Sequence, residues 1–248
     1  MSTQGYAFQG DSRHQVKKSP TWTEVDAYTL SRLQPADRRP NHSTLLSALR
    51  NSHEKGLPDI STAPAVAKMY ALQCRANSTS HALEIGTLGG YTSLYLASVN
   101  PGMRVMTIEV NPHHHAVSLE NIRNGGPEIA SRIDVRLGAA LDVLPLLEQE
   151  IIGEGKSEKF GFVYIDADKA NNWTYVDKVI PLCKKGAVIY VDNVVRGGKL
   201  VDPDAIDEST LGAREVVERV GRDPRLDAVV MQFVGEKGYD GMIMAVVL

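Results

Sequence analysis

Two cysteines in 248 residues are too few for a disulfide framework. Cys74 and Cys183 fall in apolar, helix-like segments and read as small core residues of a reducing compartment. No apolar run approaches the length that crosses a bilayer, so no membrane partner is expected. Basic residues (27) are slightly outnumbered by acidic ones (30), and neither a basic run nor basic–aromatic interleaving occurs, which excludes the usual footprint of a nucleic-acid binder. The first 20 residues hold no signal-peptide core and too little arginine for a transit peptide. They are expected to form a flexible or partner-binding arm on a cytoplasmic protein. There is no internal repeat and no low-complexity block. With those classes set aside, 43% hydrophobic content fits one α/β domain, residues 21–248, with a core of its own.

Residues 21–56 are polar with helical fragments, "TWTEVDAYTLSRL" and "NHSTLLSALRNSHEKG", the second capped by Asn41 or Ser43 and ended by Gly56. From residue 61 onward strand and helix signals alternate. "HALEI", "RVMTIEV", "RIDVRL", "FGFVYID" and "AVIYVD" read as strands, with "YTSLYLASV", the stretch after Pro112 and "LDVLPLLEQEI" as helices between them. The last two of these strands are continuous apolar runs, as in strands buried on both faces. "AVVMQFV" and "GMIMAVVL" form a terminal hairpin around a longer loop, "GEKGYD". The alternation predicts a Rossmann-like, doubly wound, mostly parallel sheet of seven strands, with a C-terminal antiparallel hairpin and extra N-terminal helices.

Ligands of such sheets bind beyond the carboxyl ends of the strands. The first strand runs into "EIGTLGGYTS", and the second ends in Glu109, where an acid commonly accepts ribose hydroxyls. A dinucleotide fingerprint needs G-x-G-x-x-G, but Leu88 stands two positions after Gly86. The pattern is E-x-G-x-x-x-G, with Glu84 before the first glycine. A pyrophosphate is poorly served by that carboxylate; a cationic nucleoside without phosphate, such as S-adenosylmethionine, is well served. A plain tight turn is the alternative reading of the loop taken alone.

The fourth and fifth strands end in Asp166 and in Asp192-Asn193. Adjacent parallel strands bring such ends within reach of one cation. Two carboxylates and an amide oxygen suit a hard divalent ion, Mg²⁺ first, then Mn²⁺ or Ca²⁺. "HHH" at 113–115 opens a helix, where neighbouring side chains point in different directions, and reads as a solvated helix start. Lys169, three residues after Asp166, is either a surface lysine or a general base beside the cation. Asp168 is a helix cap or a partner to the ligand residues.

Together, "LEIGTLGGYTS", "TIEVNP", "RLGAALDVLP", "VYIDADK", "IYVDNVVRGG" and "KGYDGMIMAVV" resemble the metal-dependent class I O-methyltransferases, the group of the caffeoyl-coenzyme A and catechol O-methyltransferases. The resemblance covers about Ile60 to Leu248. It implies that Glu84, Gly86 and Thr92 surround the methionine part of S-adenosylmethionine, that Glu109 binds the ribose, that Ala140 contacts adenine through its backbone, and that Thr62 closes over the cofactor. It further implies metal ligation by Asp166, Asp192 and Asn193 and catalysis by Lys169, with Asp166 also at the catalytic and cofactor edge. Two departures mark the substrate mouth: Arg196 stands where coenzyme A-using members carry tryptophan, and Asn172-Trp173 where an aromatic is usual. Arg196 and Trp173 are therefore expected to touch substrate. The implied activity is methyl transfer to a hydroxyl of a phenolic small molecule with vicinal hydroxyls, such as a flavonoid, a hydroxycinnamate or a simple catechol, by a homodimer. Gly197-Gly198 would hinge a substrate lid or simply lead to the hairpin. Three readings compete: an NAD(P)-dependent oxidoreductase, opposed by the missing G-x-G and by Glu84; a metal-dependent hydrolase, which leaves the glycine-rich loop and Glu109 unexplained; and a non-catalytic cofactor-binding scaffold, which has no need of Asp166, Lys169, Asp192 and Asn193 together.

Overall fold

The computed structural model describes residues 19–34, 42–155 and 157–248. Most of the expected arm, residues 1–18, lies outside them, as does Asn41. Helix α1 (Pro20–Leu33) starts on a proline, which has no N–H to leave unsatisfied at that position. Helix α2 (His42–Glu54) contains Ser43 inside its first turn, so Ser43 is not its cap; Gly56 follows with φ 77°, the left-handed stop expected of it. A third helix, α3 (Pro64–Ala76), buries Ala67, Tyr70, Ala71 and Cys74.

The alternating units follow: β1 (His81–Ile85), α4 (Tyr91–Val99), β2 (Arg104–Glu109), α5 (Pro112–Asn124), the single turn α6 (Pro127–Ala130), β3 (Ile133–Leu137), α7 (Ala140–Glu148), β4 (Phe160–Ile165), α8 (Asn172–Val179), β5 (Cys183–Val191), α9 (Glu208–Val220), β6 (Leu226–Gly235) and β7 (Gly238–Val247). A π-helical turn, Gln149–Gly153, extends α7, and a 3₁₀ turn, Lys169–Asn171, precedes α8. The strands form one sheet in the order β3-β2-β1-β4-β5-β7-β6. The first five are parallel, and β7 is antiparallel to both neighbours. This is the seven-stranded fold the sequence predicts. Two details differ. Cys183 opens β5 rather than lying in a helix. The hairpin loop is shorter than expected: pairing continues to Gly235 opposite Gly238, which leaves only Glu236-Lys237 as a turn. Gly238, with φ 104°, permits that tight reversal.

Side chains alternate between the two faces of the buried strands. Leu83, Ile85, Val163, Ile165, Ile189 and Val191 pack with α7, α8 and α9. Ala82, Phe162, Tyr164, Val188 and Tyr190 pack with α3 and α4. The parallel β4–β5 register sets Tyr164 opposite Tyr190, and Tyr70 of α3 lies 4.7 Å from both rings.

Helix α9 rests on the 3₁₀ turn through Gly212, where an added Cβ would lie 2.2 Å from the Lys169 carbonyl oxygen. Gly212→Ala should therefore cost about 1–3 kcal/mol by overpacking, against the small gain in helix propensity that alanine normally brings. A urea-denaturation midpoint equal to that of the unsubstituted protein would show that this contact is not tight.

Candidate active site

A cavity of about 1640 Å³ opens where the carboxyl ends of β1, β2, β4 and β5 meet, at the switch in strand order between β1 and β4. The parallel ladder continues one residue past each strand: Gly86 N–H donates to Ile108 O (3.0 Å), Asp166 N–H to Ile85 O (2.8 Å) and Asp192 N–H to Ile165 O (3.0 Å). Those three residues thus stand side by side on the cavity wall. Gly86 must lack a side chain, since a Cβ there would meet the Asp166 carbonyl oxygen at 2.2 Å.

On the β1–β2 side, Glu109 is buried and its carboxylate fixes the glycine-rich loop, accepting from Leu88 N–H (2.8 Å) and from Asn111 N–H (2.9 Å). Gly86, Thr92, Glu109 and Ala140 line the cavity with Thr62, which reaches in from the segment before α3. Thr62 Oγ1 lies 2.9 Å from Thr92 Oγ1, so the N-terminal segment is joined to the first residues of α4. Glu84 differs from its expected place. It is fully buried beneath the loop and does not line the cavity; its Oε2 accepts from Ser93 Oγ (2.5 Å) and Thr107 Oγ1 (2.7 Å). Its carboxylate braces the loop from below, with the cavity-lining Thr92 as a further hydrogen-bond partner.

On the β4–β5 side, Asp166 and Asp192 both accept from the Tyr164 hydroxyl, at 2.9 and 2.8 Å. Lys169 Nζ lies 2.6 Å from Asp166 Oδ1. Asn193 has φ 56°, and its Nδ2 donates to Asp240 (3.2 Å), which fixes which end of the amide is oxygen. Burial, then the neighbouring Asp166 charge, push the Asp192 carboxyl up to about 7. Buried Asp192 and partly buried Asp166 share one phenol proton, and with the Asn193 amide oxygen they present hard oxygen atoms that fit a divalent cation. Among the described residues no three His, Cys, Asp or Glu side chains form a metal-holding group; the cradle has only two carboxylates.

Comparison with known proteins gives this cavity its family. A family model described as O-methyltransferase matches residues 36–246. The chain belongs to the O-methyltransferase family. It is 50% identical to the O-methyltransferase imqG of Aspergillus flavus over 93% of this chain and 92% of that one. It is 38% identical to a catechol O-methyltransferase of Mycobacterium tuberculosis, over 94% and 99% of the two chains. Among solved structures, an O-methyltransferase from Bacillus cereus in complex with SAH superposes with a TM-score of 0.84 at 39% identity, covering 92% of this chain and 99% of that one.

Several residues of this methyltransferase sit elsewhere than their neighbours in sequence suggest. Trp173 does not line the cavity; it packs on the core beside α9, with the Arg219 guanidinium 5.6 Å from its ring centre. Arg196 does line it, with φ 56° and its N–H donating to Asp240 Oδ1 at 2.7 Å. Asp168 holds Asn171 and Tyr175 through its side chain, which accepts from no backbone N–H at the start of the turn. The three histidines diverge as the helix geometry requires. His113 Nε2 meets Lys55 O (2.8 Å), His114 Nδ1 stands 3.7 Å from Glu109, and His115 Nε2 meets Val135 O (3.3 Å). They tie the start of α5 to three different neighbours.

The sequence did not single out Tyr164, Asp240 or Arg214. Tyr164 carried a usable signal: "YID" and "YVD" repeat at the two strand ends, and period-two alternation puts each tyrosine on its aspartate's face. Arg214 of α9 carried none. It donates to the carbonyl oxygens of Lys199 (3.0 Å), Leu200 (2.9 Å), Ala205 (2.9 Å) and Asp202, strapping the loop that follows Gly197-Gly198 to the helix.

Burial pushes the Glu84 carboxyl up to about 7, from an ordinary value of 4.5. The folded chain then holds this proton more tightly than the unfolded chain, so the stability it contributes falls as pH rises from about 4.5 towards 7. Asp192 acts in the same direction. Glu84→Gln should flatten part of that decline, read as urea midpoints at about pH 5 and about pH 7.5. Parallel pH profiles for the two proteins would contradict the assignment.

Proposed function

We propose that this enzyme, an S-adenosylmethionine-dependent O-methyltransferase, methylates one hydroxyl of a vicinal diphenol with a divalent cation, Mg²⁺ by preference, at Asp166, Asp192 and Asn193. The observation that carries the reading is the meeting, in one cavity, of the glycine-rich loop with the Asp166–Asp192 pair and Lys169. The similarity to a catechol O-methyltransferase supports the acceptor class. In this reading Gly86, Thr92, Thr62, Glu109 and Ala140 surround the cofactor, and Glu84 acts on it only through the loop it braces. Arg196 contacts the acceptor, whether a flavonoid, a hydroxycinnamate or a simple catechol.

The cation supplies charge that eases loss of a proton from the acceptor hydroxyl, and S-adenosylmethionine supplies an electrophilic methyl. With Asp166 engaged by the cation, Lys169, in its neutral amine form, would accept that proton. The acceptor oxygen then bonds to the methyl carbon as the carbon–sulfur bond breaks, with its electron pair staying on sulfur. Opposite charges cancel in this step, so the apolar walls of the cavity, Ile85, Met69 and Met242 among them, favour it by excluding water. Holding oxygen, carbon and sulfur in line supplies much of the rest.

Asp166→Ala and Asp192→Ala should each lower Mg²⁺-dependent turnover of a diphenol at least about a hundredfold. Affinity for S-adenosylhomocysteine should stay largely unchanged. Turnover by the wild-type enzyme that survives excess chelator would remove the cation from the reaction.

A homodimer is part of the same proposal. Helix α1 packs on β6 with no residue of its own buried, and Val25 (54% exposed), Tyr28 (66%) and Leu33 (74%) stand outward. A second copy is the occupant proposed for this face. Val25→Glu with Tyr28→Glu should shift sedimentation from dimer to monomer; a wild-type monomer at micromolar concentration would refute it.

A further inference from the structure

Tyr164 stands between the two halves of the cavity, and the reaction as described gives it no task. It is fully buried, with its ring 4.7 Å from that of Tyr70, so the hydroxyl cannot swing away. The hydroxyl meets Asp166 Oδ2 at 2.9 Å, Asp192 Oδ2 at 2.8 Å and Thr62 Oγ1 at 3.2 Å, with the buried Tyr70 hydroxyl a further hydrogen-bond neighbour. Thr62 in turn meets Thr92 at 2.9 Å, on the loop that leads into α4. A continuous line of hydroxyls therefore runs from the paired carboxylates to the glycine-rich loop.

A phenol or an alcohol has one proton and two lone pairs, which fixes the sense of such a line. While the carboxylates carry their charge uncompensated, the Tyr164 proton points at them. Thr62 then donates to the phenol oxygen, and Thr92 to Thr62 at the expense of its bond to Glu84. Once a cation compensates the carboxylates, the Tyr164 proton is free to turn to Thr62. Thr62 then donates to Thr92, and the Thr92 proton turns to the Glu84 carboxylate beneath the cofactor loop, the further hydrogen-bond partner of Thr92. The line thus has two arrangements, and each end biases the other.

We propose that Tyr164 is a positioning residue that, through Thr62 and Thr92, couples cation binding at Asp166 and Asp192 to cofactor binding at the β1 loop, each ligand tightening the other. This rests on the metal and cofactor sites proposed above. Coupling of this kind is reciprocal and is measurable as a ratio of affinities, apart from catalysis.

The test is calorimetric titration of the full chain with Mn²⁺, with and without saturating S-adenosylhomocysteine, for wild type, Tyr164→Phe and Thr62→Val. Phenylalanine keeps the ring and its stacking and removes only the hydroxyl; valine keeps the shape of threonine. Wild type should bind Mn²⁺ about fivefold or more tighter when S-adenosylhomocysteine is present. Tyr164→Phe should still bind each ligand; Thr62→Val, which alters the cofactor wall, is read at S-adenosylhomocysteine concentrations that saturate it; in both the ratio should fall to near one. A wild-type ratio of one overturns the proposal, as does an undiminished ratio in Tyr164→Phe. Loss of the ratio in Tyr164→Phe but not in Thr62→Val also overturns it, because the coupling would then bypass the hydroxyl line. Wild type that binds S-adenosylhomocysteine but no Mn²⁺ would instead refute the cation site, and the coupling with it. Binding of both ligands without coupling would leave the two sites standing and remove only the relay.

Discussion

Parallel pairing of β4 with β5 in one particular register is the constraint on which the rest of the site depends. Tyr164 faces Tyr190 across that pair, so two residues further on Asp166 and Asp192 emerge on the same face. A slip of one residue would turn one carboxylate towards α7 and α8 and leave the other alone. The register is held by what lies below it. Tyr70, Phe162, Tyr164 and Tyr190 form one aromatic cluster against α3, each ring within 6 Å of another. Large rings fit such a layer in only one alignment.

The cost of that arrangement is electrostatic. Two carboxylates, one of them buried, are brought together, and the Asp192 carboxyl is pushed up accordingly. The chain offsets part of this with the Tyr164 proton and the Lys169 ammonium. Two facing carboxylates that present hard oxygens are what a divalent-cation site needs before the cation arrives. Glu84 shows a different use of the same residue type. Its carboxylate is spent on Ser93 and Thr107, so the loop above it is stiff and its backbone is free to face the cavity.

Around this centre the wall is assembled from distant parts of the chain. Asp240 of β7 holds both the Asn193 amide and the Arg196 backbone, and so connects the hairpin to the proposed metal and acceptor residues. Arg214 secures the loop beyond Gly197-Gly198, and Thr62 reaches across from the segment before α3. Asp26 of α1 accepts from the Glu236 N–H at the hairpin tip (2.8 Å), which ties the N-terminal helix to the turn. Elements far apart in sequence therefore set the shape in which an acceptor would lie.

Much of this was legible in the amino-acid order because it follows from local rules. Apolar runs ending in acids marked β4 and β5, glycines after "LEI" marked the ligand loop, and the alternation of strand and helix signals gave the sheet. Each of those signals is periodic or adjacent in the chain. The order could not reveal where a side chain goes once several elements compete for it. Glu84 was expected in the cavity and lies under it, because Ser93 and Thr107 come within reach only after α4 and β2 have packed. Trp173 follows a cavity loop in sequence, yet it packs, partly buried, beside α9, whose glycine lets the 3₁₀ turn come close. The sequence by itself determined which groups are available for chemistry. Tertiary packing alone decided which of them share the cavity, since that depends on contacts between residues that no local periodicity relates.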